Sequence, residues 1–174
     1  MQLYILRHAA ALPHGTPGYP TDDRPLTEEG IEKFIQCAEG INIITGGFDE
    51  IISSPMVRAL HTAKILAEHT SYKKEIIITE HLMPGSPQRS LFKLLNQFKH
   101  SEKVCITGHE PHLGFIASKL IGIDNSVVEL KKGAMCRIDI NKFPPDNTGK
   151  LIWLMQPKQL MLLHSQEKID DDNK

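Results

Sequence analysis

The chain has 174 residues, 40% of them hydrophobic and 24% charged, with a formal net charge of −1. That length suits one compact domain with a full hydrophobic core, and the near-zero charge excludes a nonspecific nucleic-acid or polyanion binder, which carries a clear basic excess. No window approaches the roughly 18–20 apolar residues of a membrane span, and the short apolar N-terminal run lacks the basic lead of a signal segment, so no membrane association and a cytoplasmic setting are expected.

Apolar runs alternate with helical patterns along the chain, which predicts α/β layering. Leu3 to Leu6 reads as a buried strand, and Thr27 to about Ile44 as a helix. There Thr27 is placed to cap, Glu28 and Glu29 complement the positive helix start, and Ile31, Phe34, Ile35 and Ala38 share one face. Gly46-Gly47 ends that segment, and Asp49 to Ser53 reads as a second strand. Ser54 then reads as an N-cap with Pro55 at the first helical position of a helix running to about His69. Glu75 to Thr79 follows as a strand, Ser86 to Phe98 as a helix, Lys103 to Thr107 as a strand and Pro111 to Ile121 as a helix. Two later strands are expected near Ala134 to Ile140 and Lys150 to Met155, separated by the turn-forming Pro144-Pro145-Asp146-Asn147. Residues 1–164 are expected to form a single domain and the polar residues 165–174 a frayed tail.

Cys37, Cys105 and Cys136 are far apart, and the last two sit in apolar runs, which reads as buried thiols in a reducing compartment. No His, Asp or Glu cluster has metal-ligand spacing, and His61 and His69 lie too far apart on their helix to share one ion. Trp153 and Phe143 read as core or sheet-face residues.

Chemistry collects where strands end. Open α/β sheets bind ligands beyond the carboxyl ends of their strands, and three apolar runs here close on reactive groups. The first ends in Arg7-His8, the second in Ser53-Ser54-Pro55 with Arg58 one turn on, and the fourth in Thr107-Gly108-His109-Glu110-Pro111. Each alone reads as a surface turn or a solvated helix face. Together, on parallel strands, they bring two histidines and two arginines to one edge. That set suits phosphoryl transfer, in which catalysis is mostly positioning and charge stabilisation. Arginine's planar fork matches phosphate oxygens, a neutral imidazole is a competent nucleophile, a protonated second histidine would add charge, and the helix after Ser54 would offer backbone N–H groups. The turn-rich loop holding Gly15, Pro17, Gly18 and Pro20 either rims the pocket or merely connects two elements.

The ordered set resembles the histidine phosphatase, or phosphoglycerate mutase-like, superfamily. Leu6-Arg7-His8-Ala9 is similar to the opening signature, Asp23-Arg24-Pro25-Leu26-Thr27-Glu28-Glu29-Gly30 to the segment that follows, Ser53 to Ala63 to the second motif, and Gly108-His109 to the third. Most members carry Gly where this chain has Ala9. The compact length, Asp-Arg-Pro-Leu-Thr, Pro84-Gly85 and Gly-His-Glu-Pro-His-Leu resemble the SixA type.

The resemblance implies a three-layer α/β/α sandwich with a mostly parallel sheet, no metal and no cofactor. It implies His8 as the nucleophile, Arg7 and Arg58 as a phosphate clamp, His109 as the second pocket histidine and Arg24 as a further substrate contact. The implied substrate is a phosphohistidine on a histidine-containing phosphotransfer protein, either a relay domain or a carrier of sugar uptake. Larger members place an acid after the third strand, and Glu80 stands one residue further from Gly85 than that pattern. Asp23, Glu80 and Glu110 are the candidate proton donors, or none is used, since a P–N bond releases an imidazole that needs less help than an alkoxide. His112 and Glu110 have first-turn alternatives: a surface position for one, a helix cap for the other. The competing readings are a small-molecule phosphomonoesterase of the same superfamily and a catalytically silent module that binds phosphorylated partners.

Overall fold

The computed structural model describes residues 1–19, 22–143, 145 and 149–172. A six-stranded sheet forms its middle layer. The strands are β1 (Gln2–Arg7), β2 (Glu50–Ser53), β3 (Ile77–Ile78), β4 (Lys103–Gly108), β5 (Met135–Asp139) and β6 (Lys150–Met155), in the spatial order β3-β2-β4-β1-β5-β6. The four strands from β3 to β1 run parallel, while β5 and β6 join antiparallel.

Alternation along β1 divides the core. Leu3 and Ile5 face one cluster, shared with Leu91 and Leu95 of α3 (Gln88–Gln97) and Leu113 and Ile116 of α4 (His112–Leu120). Tyr4 and Leu6 face the other, shared with α1 (Glu28–Thr45), α2 (Val57–His69) and Leu160 of α5 (Pro157–Asp172). Each such fully buried aliphatic side chain contributes roughly 1.5–3 kcal/mol, and the two clusters make the α/β/α sandwich.

Thr27 caps α1 as expected, its hydroxyl accepting from the Gly30 N–H at 3.0 Å, and Gly46 closes that helix at φ 65°. The buried stripe of α1 is Phe34, Cys37, Ala38 and Ile41, with Ile31 and Ile35 only partly covered. At Gly40 a Cβ would stand 2.0 Å from the Leu160 carbonyl oxygen, so α1 and α5 touch backbone to backbone there.

Several expected elements are corrected. Ser54 does not cap α2: the helix begins at Val57 after Met56, and the Val57 N–H is taken by Asp23 Oδ1 at 3.2 Å, so that amide is not free for an anion. The strand expected over Glu75–Thr79 shrinks to Ile77–Ile78 at the sheet edge, and α3 starts at Gln88 behind Pro87. The stretch expected to fray from Ser165 is helical to Asp172 as the continuation of α5, which Leu160 anchors against α1. Pro144, Asp146 and Asn147 of the expected turn, and Pro20 of the loop, lie outside the described residues.

All three cysteines are buried and unpaired. Trp153 packs against Tyr4 at 5.9 Å between ring centroids, and Phe143 packs on the first core cluster. Among the described residues no helix is long and apolar enough to cross a membrane.

Candidate active site

Strand register brings the reactive groups together. Arg7 pairs with Gly108 across β1 and β4, and Ser53 with Thr107 across β2 and β4. The ladder continues one step past the strands, with His8 N–H donating to the Gly108 carbonyl and Ser54 N–H to the Thr107 carbonyl. His8, His109 and Ser54 therefore stand side by side where three parallel strands stop. The two imidazoles lie 5.1 Å apart between ring centroids.

His8 is 7% exposed and His109 2% exposed. Burial first, then the positive charges of Arg58 and Arg7, push the pKa of His8 down to about 3, against the pull of its hydrogen bond to the Ala9 carbonyl. Burial, then His8 and Arg58, push His109 down to about 3 as well. Both rings are thus neutral near pH 7 in the ligand-free protein, so the condition under which the second histidine would add charge is not met there.

The proton of neutral His8 can be placed. Its Nδ1 lies 2.7 Å from the Ala9 carbonyl oxygen, which only accepts, so Nδ1 carries the hydrogen. Nε2 then holds the lone pair and accepts from Arg58 Nε–H at 3.3 Å. This is the tautomer a nucleophilic Nε2 requires. The Nε2 of His109 meets the Ser54 hydroxyl at 2.9 Å, the use to which the residue expected as a helix cap is put.

α2 supports the site through one inward face. Arg58 and Thr62 sit one turn apart on it; the Thr62 hydroxyl donates to the Arg58 carbonyl at 2.7 Å and accepts from Ala9 N–H at 3.0 Å, tying β1's end to the helix. Arg58 is 4% exposed. Its Nη1 donates to the Asp22 carbonyl oxygen at 2.6 Å and its Nη2 to Asp22 Oδ2 at 2.9 Å. Arg7 is held from the other side, Nη1 donating to the Leu130 carbonyl at 2.7 Å. Arg24 does not reach either histidine through its recorded bonds. It pairs with Asp22 at 2.7 Å and donates to the Leu12 carbonyl.

Among the described residues, the buried side-chain polar atoms without a partner are Arg7 Nε, Thr107 Oγ1 and His109 Nδ1. All three belong to the ends of β1 and β4. An unpaired buried polar group costs roughly 1–3 kcal/mol, and such costs collect at ligand sites.

Two of the three candidate acids are otherwise engaged. Glu110 spends both carboxylate oxygens on backbone, accepting from Gly114 N–H at 3.1 Å and Leu130 N–H at 3.0 Å, so it caps α4 and pins the loop behind Arg7. Asp23 holds Val57 N–H, and Glu80 is exposed. His112 is not at the surface: it is buried with Nε2 3.3 Å from the His81 carbonyl oxygen. Among the described residues no group of three or more His, Cys, Asp or Glu is placed to hold a metal ion.

A cleft of about 380 Å³ opens beside Arg7, walled by Glu110, Pro111 and the segment from Ser126 to Glu129. A larger hollow of about 560 Å³ lies between α1 and α5, away from His8 and His109. Asp22 and the Leu130 carbonyl are the contacts sequence reading missed. Asp22 stood next to the Asp23-Arg24 motif, the one local signal available for it.

Residues 3–83 match the family model of the histidine phosphatase superfamily (branch 1). An uncharacterised protein of Picosynechococcus sp. (strain ATCC 27264 / PCC 7002 / PR-6) is 28% identical over 167 residues, spanning 92% of this chain and 99% of its own. Among solved structures, the protein histidine phosphatase SixA complexed with tungstate superposes with a TM-score of 0.79 at 20% identity, covering 92% of this chain and 99% of that one. The alpha-ribazole phosphatase of Shigella flexneri superposes with a TM-score of 0.68 at 18% identity, covering 90% and 97%. At these identities the two structures establish the shared fold.

Proposed function

We propose that this chain, a phosphatase-fold protein of the histidine phosphatase superfamily, hydrolyses a phosphohistidine on a histidine-containing phosphotransfer protein through a phosphorylated His8. The observation that carries the reading is the protonation geometry of His8: Nδ1–H is fixed on the Ala9 carbonyl, and the Nε2 lone pair is presented to a guanidinium at the strand edge. A buried, neutral, oriented imidazole beside Arg7, Arg58 and His109 is a phosphorus nucleophile in a cationic pocket.

In the first step His8 Nε2 attacks phosphorus, and the P–N bond to the partner's imidazole breaks. That imidazole leaves with the bonding pair and takes a proton from solvent. Water then attacks the phosphorus of phospho-His8 and gives its proton to solvent. The P–Nε2 bond breaks, and orthophosphate leaves with His8 neutral again. Arg7 and Arg58 offset the charge on the three transferring oxygens, and His109 contributes a donor once the Ser54 hydroxyl bonds its Nε2. Arg24 acts on the phosphate through Asp22.

Among the described residues no carboxylate hydrogen-bonds to either histidine, the nearby Asp22 being held by Arg58 and Arg24, and this favours a P–N over a P–O substrate. An imidazole leaving group tolerates that arrangement, and an alkoxide does not. Buried free thiols agree with a reducing, cytoplasmic setting. The test is orthophosphate release from a purified phosphohistidine protein and from a panel of phosphomonoesters, with wild type and His8→Ala. Release from the phosphoprotein that vanishes in His8→Ala is the expected result. His8-dependent release from monoesters alone would move the substrate to small molecules, and turnover surviving in His8→Ala would remove the covalent step.

A further inference from the structure

Every nitrogen of the Arg58 guanidinium is already engaged. Nε donates to His8, Nη1 to the Asp22 carbonyl oxygen and Nη2 to the Asp22 carboxylate. The other oxygen of that carboxylate pairs with Arg24. Asp22 thus bridges two arginines from the mouth of the pocket, its own side chain 44% exposed while that of Arg58 is 4% exposed. Between them, one carboxylate oxygen of Asp22 and its backbone carbonyl oxygen occupy Nη2 and Nη1 of the buried guanidinium, the donors a phosphoryl group would take. Arg7 differs: its Nε is buried with no partner, so it is free to receive an oxyanion.

From this we infer that Asp22 is a positioning residue that sets phosphate affinity by competing with the phosphoryl oxygens for Arg58. A phosphoryl group gains the Asp22-facing donor of Arg58 Nη2 only by displacing the Asp22 side chain. The backbone contact from Nη1 to the Asp22 carbonyl does not depend on the side chain, so Arg58 keeps one anchor while it changes partner. The exchange also frees His8 Nε2, because a guanidinium turned toward phosphate oxygens gives up its bond to the attacking lone pair. Asp22 thereby keeps Arg58 ordered and the nucleophile covered until an oxyanion arrives. A singly charged carboxylate yields to a phosphoryl dianion and resists weaker anions, which makes Asp22 a filter for doubly charged groups.

This inference rests on the proposed phosphate site, and the experiment separates the two. Inorganic phosphate is titrated calorimetrically into wild type, Asp22→Asn and Asp23→Asn at one ionic strength. Asp22→Asn should bind phosphate about threefold to fivefold more tightly, the scale of a half-exposed ion pair. Asp23→Asn removes the same charge one residue away without freeing Arg58, and its affinity should move by less than that. Unchanged or weaker binding in Asp22→Asn, with wild-type binding intact, overturns the inference and leaves the phosphate site standing, as does an equal gain in both variants. No phosphate binding by any of the three proteins overturns both. Selectivity supplies a readout that general loosening would not move: the ratio of phosphate to chloride affinity should fall in Asp22→Asn.

Discussion

Arg58 reaches the site from α2, yet its charge is felt at His8, His109 and Asp22 alike. Because its guanidinium is almost wholly buried, the interaction proposed for it with a transferring phosphoryl group would be poorly screened and correspondingly strong. Arg58→Ala should lower kcat about a hundredfold to a thousandfold, the cost of deleting one preorganised charge-stabilising donor. Arg58→Lys should recover little, since an ammonium cannot hold His8 Nε2 and the Asp22 carboxylate at once as the fork does. Single-turnover phosphate release measures both, and a loss below about threefold in Arg58→Ala would place the residue outside the reaction. The same residue explains why Arg24 is a weaker handle: it touches Asp22 and the Leu12 carbonyl, so Arg24→Ala acts only through the carboxylate it steadies.

Two helices approach backbone so closely that only glycine fits, and they separate stability from function. At Gly114 of α4 a Cβ would stand 2.4 Å from the Val128 carbonyl oxygen, and the same segment carries the Leu130 carbonyl that anchors Arg7. At Gly40 the equivalent clash is with α5, on the opposite layer. Gly114→Ala and Gly40→Ala should each cost about 1–3 kcal/mol of stability as overpacking, read from denaturant midpoints. Only Gly114→Ala should also weaken phosphate binding, because only there does the displaced backbone hold Arg7. A matching loss of phosphate affinity in Gly40→Ala would break that link. The elements themselves were largely legible, and for a physical reason: β1, β2 and β4 are short apolar runs that stop at polar residues, so the pattern marks both the strand and the edge where Arg7, His8 and His109 collect. What local pattern does not carry is pairing across the chain. Ser54-Pro55 has the composition of a helix start, but the Ser54 hydroxyl is claimed by His109, 55 positions away. Asp22 and Arg58 are 36 apart, and Arg7 and Leu130 are 123 apart. The helical character of α5 was missed because its register is set by Leu160 meeting Gly40, not by a local stripe.

For the molecule as a whole, a net charge of −1 hides a sharp local imbalance. Burial, with Arg58, Arg7 and Lys132 around His8 and with His8 and Arg58 around His109, holds both pKa values down to about 3. In the unfolded chain both would titrate near 6.5. Between those values the unfolded state binds more protons than the folded one, so stability is complete above about pH 6.5 and declines as the pH falls toward 3. The slope is about 1.4 kcal/mol per pH unit for each histidine. His112, also held low by burial, adds in the same direction. Denaturant midpoints should therefore drop between pH 7 and pH 5, well before carboxylates titrate, and His109→Gln should flatten part of that decline. Phosphate supplies the contrasting case. A phosphate anion beside the two rings favours their protonated forms, raising their folded-state pKa values toward 6.5 while its binding stabilises the folded state. In saturating phosphate the midpoint should be higher at every pH and the fall between pH 7 and pH 5 smaller. A fall of equal slope with and without phosphate would mean that the anion does not bind beside His8 and His109, which joins the stability of the fold to the identity of its site in one titration.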